Sequence, residues 1–252
     1  LHINHIGEGL SKAVEKSMKD ERLKTDLITN VSHDIKTPLT SIINYVDLLK
    51  RENIQDPKIQ GYLDILEAKA QRLKHLTEDV VEASKISSGN ITMEYMNINF
   101  VEMINQTTGE FAEKFEKRNL QIVLNVPEKP VMVRTDGRRM WRVIENIYNN
   151  AAKYALEGTR VYADLIEKEH TVEFSLKNIS EQPLNISADE LTERFIRGDV
   201  SRSTEGSGLG LSIAKNLTEL QGGKFELYLD GDLFKVTIVF PKAVVGQSVT
   251  KS

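Results

Sequence analysis

From Ile28 onward the apolar residues fall at heptad spacing: Ile28, Ile35, Ile42 and Leu49, with Val31, Pro38 and Tyr45 three residues after the first three. After the polar break KRENIQDP a second series runs through Ile59, Leu66, Leu73 and Val80, joined by Tyr62, Leu76 and Ala83. Two heptad helices joined by a short loop predict an antiparallel helical hairpin. One apolar seam per helix cannot be buried well by a lone hairpin, so the pattern predicts a homodimer closed as a four-helix bundle.

Beyond KISSGNITMEYMNINF the period changes. The segment NFVEMINQTTGEFAEKFEKRN reads as a helix, and LQIVLNVP and VMVRTD read as strands. A long helix is expected from about Gly137 to Leu156, then a strand pair in RVYADLIEKE and TVEFSLKNI. A helix at SADELTERFI, a glycine-containing loop and a helix LGLSIAKNLTELQ follow. The chain closes on KFELYLD-GD-LFKVTIVFP, where Asp-Gly marks a hairpin turn. The expected class is α+β multidomain, a helical hairpin followed by a largely antiparallel sheet layered with helices. The expected divisions are 1–22 as a signalling helix, 23–92 as the hairpin, 93–242 as the sandwich and 243–252 as a loose tail.

With 252 residues, 40% hydrophobic and 28% charged, the chain suits a globular protein of one or two domains. A net charge of −4 with no dominant basic stripe argues against a nucleic-acid partner. The absence of cysteine excludes disulfides and thiolate metal sites, and fits a reducing compartment. No apolar run approaches a membrane span. The opening LHINHIGEGLSKAVEKSMKDERLK has no initiator Met, and a missing N-terminal portion is expected.

Chemistry concentrates first in NVSHDIKTPLTSIINYVDLL. Pro38 removes a helical hydrogen bond and crowds the preceding turn, which costs roughly 3 kcal/mol and permits a bend. If Ile28 and Ile35 are buried, His33 lies about 500° of rotation past Ile28, nearly opposite the seam and facing water. Asp34 is its neighbour and Thr37 lies one turn along. A carboxylate near one ring nitrogen fixes the tautomer and leaves the other nucleophilic. A lone His-Asp pair is common on helix surfaces; the full string SHDIKTPL is not.

In RVIENIYNNAAKYA, Asn146 and Asn150 share a helix face, with Lys153 and Tyr154 one turn further on. Asparagine is a poor helix former, and Asn146, Asn149 and Asn150 crowd one turn. Either these amides form a polar solvent face, or an amide oxygen (Asn150) binds Mg2+ beside a polyphosphate, with Lys153 as a phosphate charge. In TEGSGLGLSIAK, Gly206, Gly208 and Gly210 allow close backbone approach, and the helix that follows aims its N-terminal amides at an anion. His75 and His170 read as surface residues, Trp141 as a core anchor and Asp136 as a helix N-cap.

SHDIKTPL resembles the phosphoacceptor box of bacterial two-component sensor histidine kinases. The Asn/Lys helix, ERFIRGD and the Gly-x-Gly-x-Gly run resemble the N, F and second glycine boxes of the GHKL ATPases, in family order over residues 20–241. The resemblance implies a dimerising phosphotransfer hairpin followed by a GHKL α/β sandwich that binds ATP and Mg2+. It implies that His33 is phosphorylated, Asp34 acts as base or orienter, and Thr37 positions water for dephosphorylating the partner. ATP would contact Asn146, Asn150, Lys153, Tyr154, Arg194, Phe195, Arg197, Gly206, Gly208, Leu209 and Gly210, with the segment from Phe195 to Gly206 as a lid. The implied partner is a response-regulator receiver domain, and the implied setting is the cytoplasmic part of a membrane sensor.

One departure stands out. Family members usually carry Asp-x-Gly-x-Gly before the F box, its Asp binding the adenine amino group; here SLKNISEQPLNISADEL has no glycine. Asn178 is the positional match, and its carbonyl can accept the same hydrogen bond less strongly than a carboxylate. Asn146 stands where ATP-hydrolysing relatives carry a water-activating Glu, and asparagine is no general base. Glu145, about 100° round the helix, should point elsewhere. Transfer to His33 is favoured over hydrolysis. The alternatives are a degenerate pseudokinase serving as a docking scaffold or phosphatase, and a chaperone-type ATPase.

Overall fold

The structure is a computed structural model that describes residues 28, 30–52, 54–89, 91–184, 187–192 and 208–243. The chain separates into two compact units, Leu1–Ile91 and Thr92–Ser252. The residues Arg194, Phe195, Arg197 and Gly206, the lid between them and the tail lie outside the described residues.

The first unit holds two helices, α1 (residues 30–51) and α2 (Pro57–Ser87). Asp56 caps α2 by accepting from the Lys58 N–H at 2.8 Å, and Pro57 takes the first turn, where its missing N–H is harmless. Lys50 ties the two helices beside their connection, its Nζ 2.7 Å from Asp64 and 2.6 Å from Glu67. Two carboxylates around one ammonium raise the Lys50 pKa, through the hydrogen bonds to Asp64 and then Glu67.

Within the unit the buried positions are Ser32, Leu39 and Val46 on α1 and Leu63, Ala70, Asp79 and Ala83 on α2. Apart from Ala83, these are not the heptad positions expected to form the seam. The heptad stripe through Val31, Ile35, Ile42 and Tyr45, with Ile59, Tyr62, Leu66 and Leu73, is exposed instead. Tyr45 and Tyr62 are 68% and 64% exposed. Each helix therefore has two apolar faces, one closing the hairpin and one left open. A single heptad reading cannot separate two neighbouring faces that share its period. The helix also runs unbroken through Pro38.

The second unit is an α/β sandwich. Strands β2 (Gln121–Asn125), β4 (Arg160–Glu167), β5 (Thr171–Ile179), β6 (Lys224–Asp230) and β7 (Leu233–Pro241) form one sheet in the order β2-β4-β5-β7-β6. β2 runs parallel to β4 and the remaining pairs are antiparallel. β1 (Tyr95–Asn99), not expected from the sequence, pairs with β3 (Met132–Asp136) in a separate two-stranded sheet. Helices α3 (Phe100–Glu116), α4 (Gly137–Tyr154) and α6 (Gly210–Leu220) supply the other layer, with a short α5 (Ala188–Thr192). Ser187 and Glu190 form a reciprocal capping box at the start of α5.

Tyr148 of α4, fully buried, organises the core. Its ring stacks on Phe174 of β5 at 6.3 Å and meets Phe111 and Phe115 of α3 at 5.4 and 6.1 Å. Its hydroxyl lies 2.8 Å from that of Thr108, and burial pushes the phenol pKa up to about 12. Trp141, expected as the core anchor, is only half-buried. The far end of α6 needs two glycines. Gly222 has φ +80°. A Cβ on Gly223 would lie 2.5 Å from the Phe240 ring.

Asp136 caps α4 through the Arg139 N–H at 3.0 Å and also accepts from the Glu94 N–H at 2.9 Å. Buried Gln221, at the end of α6, accepts from the Thr135 hydroxyl and the Asp136 N–H. Burial pushes the Asp136 carboxyl up, but the N–H donors of Glu94, Arg139 and Arg138 and the Arg139 charge outweigh it, leaving the pKa below its ordinary value. A folded pKa below the unfolded one means the stabilisation is present above roughly pH 4 and is lost as pH falls through the folded value. Asp136→Ala should lower stability by about 1–2 kcal/mol at neutral pH. Urea unfolding should show the gap from wild type narrowing in acid, and a gap independent of pH would contradict this account.

Candidate functional site

The first candidate centre is the outer face of α1. His33 and Asp34 have side chains 81% and 85% exposed, with His33 Nδ1 3.8 Å from Asp34 Oδ1. That separation is longer than a hydrogen bond, so in this geometry the carboxylate lies beside the ring without fixing its tautomer. His33 faces water opposite the heptad stripe, as the helix rotation implied. It lies about 100° from buried Ser32, and nearly opposite the open stripe of Val31 and Ile35. Thr37, one turn on, donates its hydroxyl to the His33 carbonyl at 3.3 Å. Thr40 and Ser41 bond back to Lys36 and Thr37 in the same way, placing three hydroxyl back-bonds around Pro38.

The second centre is built on α4 and the start of α6. The buried side of α4 (Met140, Val143, Ile144, Ile147, Tyr148, Ala151) fixes its rotation, which leaves Asn146 covered at its edge. Asn150 and Lys153 are half-buried one and two turns along. Asn149 turns away to accept from Lys114 at 3.1 Å, and Glu145 pairs with Arg142 at 2.8 Å. The carboxylate beside Asn146 is thus held elsewhere, as the helix rotation implied. The Lys153 ammonium donates to the Tyr154 hydroxyl at 2.9 Å and lies 4.6 Å from the Tyr154 ring centroid.

Gly208 and Gly210 have distinct tasks. Gly208 has φ +72°, a conformation that turns the chain into α6. A Cβ on Gly210 would lie 3.2 Å from Asn146 Oδ1, so the glycine lets the start of α6 approach α4. Leu209 precedes that start and offers no side-chain cap. Uncapped first-turn amides suit an anion.

Among the described residues, two buried amide atoms have no hydrogen-bond partner, Asn146 Nδ2 and Asn178 Oδ1. An unpaired buried polar atom costs roughly 1–3 kcal/mol, and native structures rarely keep one without a reason. Asn178 lies near the end of β5 on the strand face of Val172, Phe174 and Leu176, the face that meets α4. Its Nδ2 donates to the Ile179 carbonyl at 3.1 Å. The chain therefore brings together a buried amide acceptor, an asparagine-lysine helix face and an uncapped glycine-flanked helix start. That set fits a nucleotide with Mg2+, an amide oxygen of Asn150 being the metal ligand offered. Among the described residues no cluster of His, Cys, Asp or Glu could hold a metal alone, and no helix is long and apolar enough to cross a membrane.

Sequence reasoning missed Gln221, Arg118 and Glu181. Arg118 donates to the carbonyls of Ala152, at 3.4 Å, and Lys153, and pairs with Glu181 at 2.8 Å. No local pattern flags these residues, because their partners lie dozens of positions away.

Residues 23–89 match the His Kinase A (phospho-acceptor) domain, and residues 135–244 match the histidine kinase-, DNA gyrase B- and HSP90-like ATPase. The sensor protein VanSC of Enterococcus gallinarum is 31% identical over 251 residues, which cover 96% of this chain and 69% of VanSC. The sensor histidine kinase GacS of Pseudomonas protegens is 28% identical over 92% of this chain, which spans only 26% of GacS. Full-length ShkA, solved with AMPPNP, superposes with a TM-score of 0.70 at 20% identity, covering 87% of this chain and 47% of ShkA. The histidine kinase ThkA, solved with the response regulator protein TrrA, gives 0.56 at 23% identity, covering 86% of this chain and 61% of ThkA. At these identities the two structures show the shared fold. Both domain matches and the similarity to VanSC place the chain in the sensor histidine kinase family, of which it carries the phosphoacceptor domain and the ATPase domain.

Proposed function

We propose that this histidine kinase phosphorylates its own His33 from Mg-ATP and passes the phosphoryl group to an aspartate of a response-regulator receiver domain. The observation that carries the ATP half is the pair of unpartnered buried amide atoms, Asn146 Nδ2 and Asn178 Oδ1. Asn178 Oδ1 accepts from the adenine amino group, and the amides at the start of α6 with Lys153 meet the phosphates. Mg2+, when bound at Asn150, neutralises charge on the terminal phosphates. Arg194, Phe195, Arg197 and Gly206 are assigned to the same nucleotide by their place in the motif.

The free ring nitrogen of His33 attacks the terminal phosphorus in line. A nitrogen–phosphorus bond forms as the bond to the bridging oxygen breaks, and ADP leaves. The imidazolium proton on Nδ1 passes to Asp34 or water. The high exposure of His33 suits both transfers, because donor and acceptor must each reach it. Support for a receiver partner comes from ThkA, which was solved with TrrA. Thr37, held one turn from His33, positions water when the regulator is dephosphorylated. The open apolar stripe on α1 and α2 is the homodimer face, since water is a poor environment for Tyr45, Tyr62 and Leu66 together.

Incubation with γ-labelled ATP and Mg2+ should give label that is lost in acid, survives base and is absent from His33→Ala. A folded protein that takes no label would favour a docking scaffold or phosphatase, and label persisting in His33→Ala would overturn the assignment. Leu66→Glu, at a position the hairpin itself does not bury, should halve the mass seen by sedimentation while keeping helix content. A monomeric wild type would overturn the dimer.

A further inference from the structure

Arg118 and Glu181 belong to none of the motifs, yet they complete the C-terminal end of the asparagine-lysine helix. A helix leaves its last four carbonyls without intrahelical donors. In α4 each of them is satisfied. The Ala151 carbonyl accepts from the Ala155 N–H at 2.9 Å, and the Tyr154 carbonyl from the Glu181 N–H at 2.8 Å. The two between them, Ala152 and Lys153, accept from Arg118 Nη1. The guanidinium brings its charge to the negative end of the helix dipole. Glu181 Oε2 closes the ring, 2.8 Å from Arg118 Nη2.

The same ring holds the glycine-free segment after Asn178. The Ile179 carbonyl accepts both the Leu156 N–H at 2.8 Å and Asn178 Nδ2 at 3.1 Å. Ala155 and Ser180 form a β-bridge, and the Ser180 N–H donates to the Asp232 carbonyl at 2.7 Å. Asn178 Nδ2 is thereby taken up, because a flipped amide would set oxygen against the Ile179 carbonyl. Its Oδ1 remains as the acceptor.

We infer that Arg118 and Glu181 are positioning residues for base recognition. Their ion pair holds the segment from Asn178 to Gln182 against the end of α4 and so keeps Asn178 presenting an acceptor only. The inference rests on the reading of Asn178 as the acceptor for the adenine amino group. An exposed ion pair alone contributes little, but this one adds bonds to two helix-terminal carbonyls.

The test is calorimetric binding of ATP and of purine riboside triphosphate, which lacks the 6-amino group, to the 252-residue chain. Wild type should prefer ATP, and Asn178→Ala should abolish the preference. Arg118→Ala and Glu181→Ala should each weaken ATP binding by about five- to tenfold and leave the analogue unchanged. Equal weakening of both nucleotides would reduce the ring to structural support for α4 and overturn the inference. Variants that keep the full wild-type preference would also overturn it, with the reading of Asn178 intact. A wild type without preference would instead overturn that reading, and the inference with it. Glu181, with a side chain 50% exposed, keeps the test available should Arg118→Ala fail to fold.

Discussion

The ATPase domain depends on how α4 is seated. Its apolar side buries Ile144, Ile147 and Tyr148 against the sheet and α3, each such burial contributing roughly 1.5–3 kcal/mol. That packing fixes the helix rotation and leaves Asn146 nearly covered with an unpaired Nδ2. An unpaired amide opposes folding by roughly 1–3 kcal/mol, which the surrounding core outweighs. The seating is what makes a polar, unsatisfied edge sustainable beside a dry core. A helix held less firmly would roll its asparagines into water.

Both ends of α4 are secured by residues distant in the chain. At the start, Asp136 caps the first turn and Gln221 ties the same junction to the end of α6. At the finish, Arg118 and Glu181 supply donors to its last carbonyls. The Gln221 link also fixes the far end of α6, whose near end approaches Asn146 closely enough that only glycine fits comfortably at 210. The asparagine face, the glycine-flanked helix start and the acceptor at Asn178 are therefore held by one polar frame around a single helix.

The helical unit obeys a different constraint. Its helices carry one apolar face for each other and a second that stays open, so the hairpin closes with small contacts such as Leu39, Val46, Leu63 and Ala70. His33 stands on the side away from the open stripe, so the proposed dimer contact and the proposed phosphoacceptor do not compete for the same surface. Continuity of α1 through Pro38 shows that the proline does not end the helix, and the Thr37, Thr40 and Ser41 hydroxyls bond back to carbonyls around it.

Much of this was legible because it is written locally. Heptad spacing marked the hairpin helices, Asp-Gly marked the β6–β7 turn, and Asp136 announced the start of α4. The asparagine spacing and the glycine run are equally local, and the fold sets them side by side, with Gly210 close against Asn146. What the sequence left open was set by partners far along the chain. The open and closed faces of the hairpin share one period, so only packing distinguished them. β1 is short and mixed in polarity, and it exists as a strand because β3 offers it an edge. Tyr148 rather than Trp141 became the core aromatic because Phe111, Phe115 and Phe174 converge on it. The amide of Asn178 acquired a direction only when the Ile179 carbonyl came within reach of its nitrogen, and Arg118 found α4 only when the domain had folded. Local chemistry determined which groups were on offer; three-dimensional packing decided which were paired and which were left without a partner among the described residues.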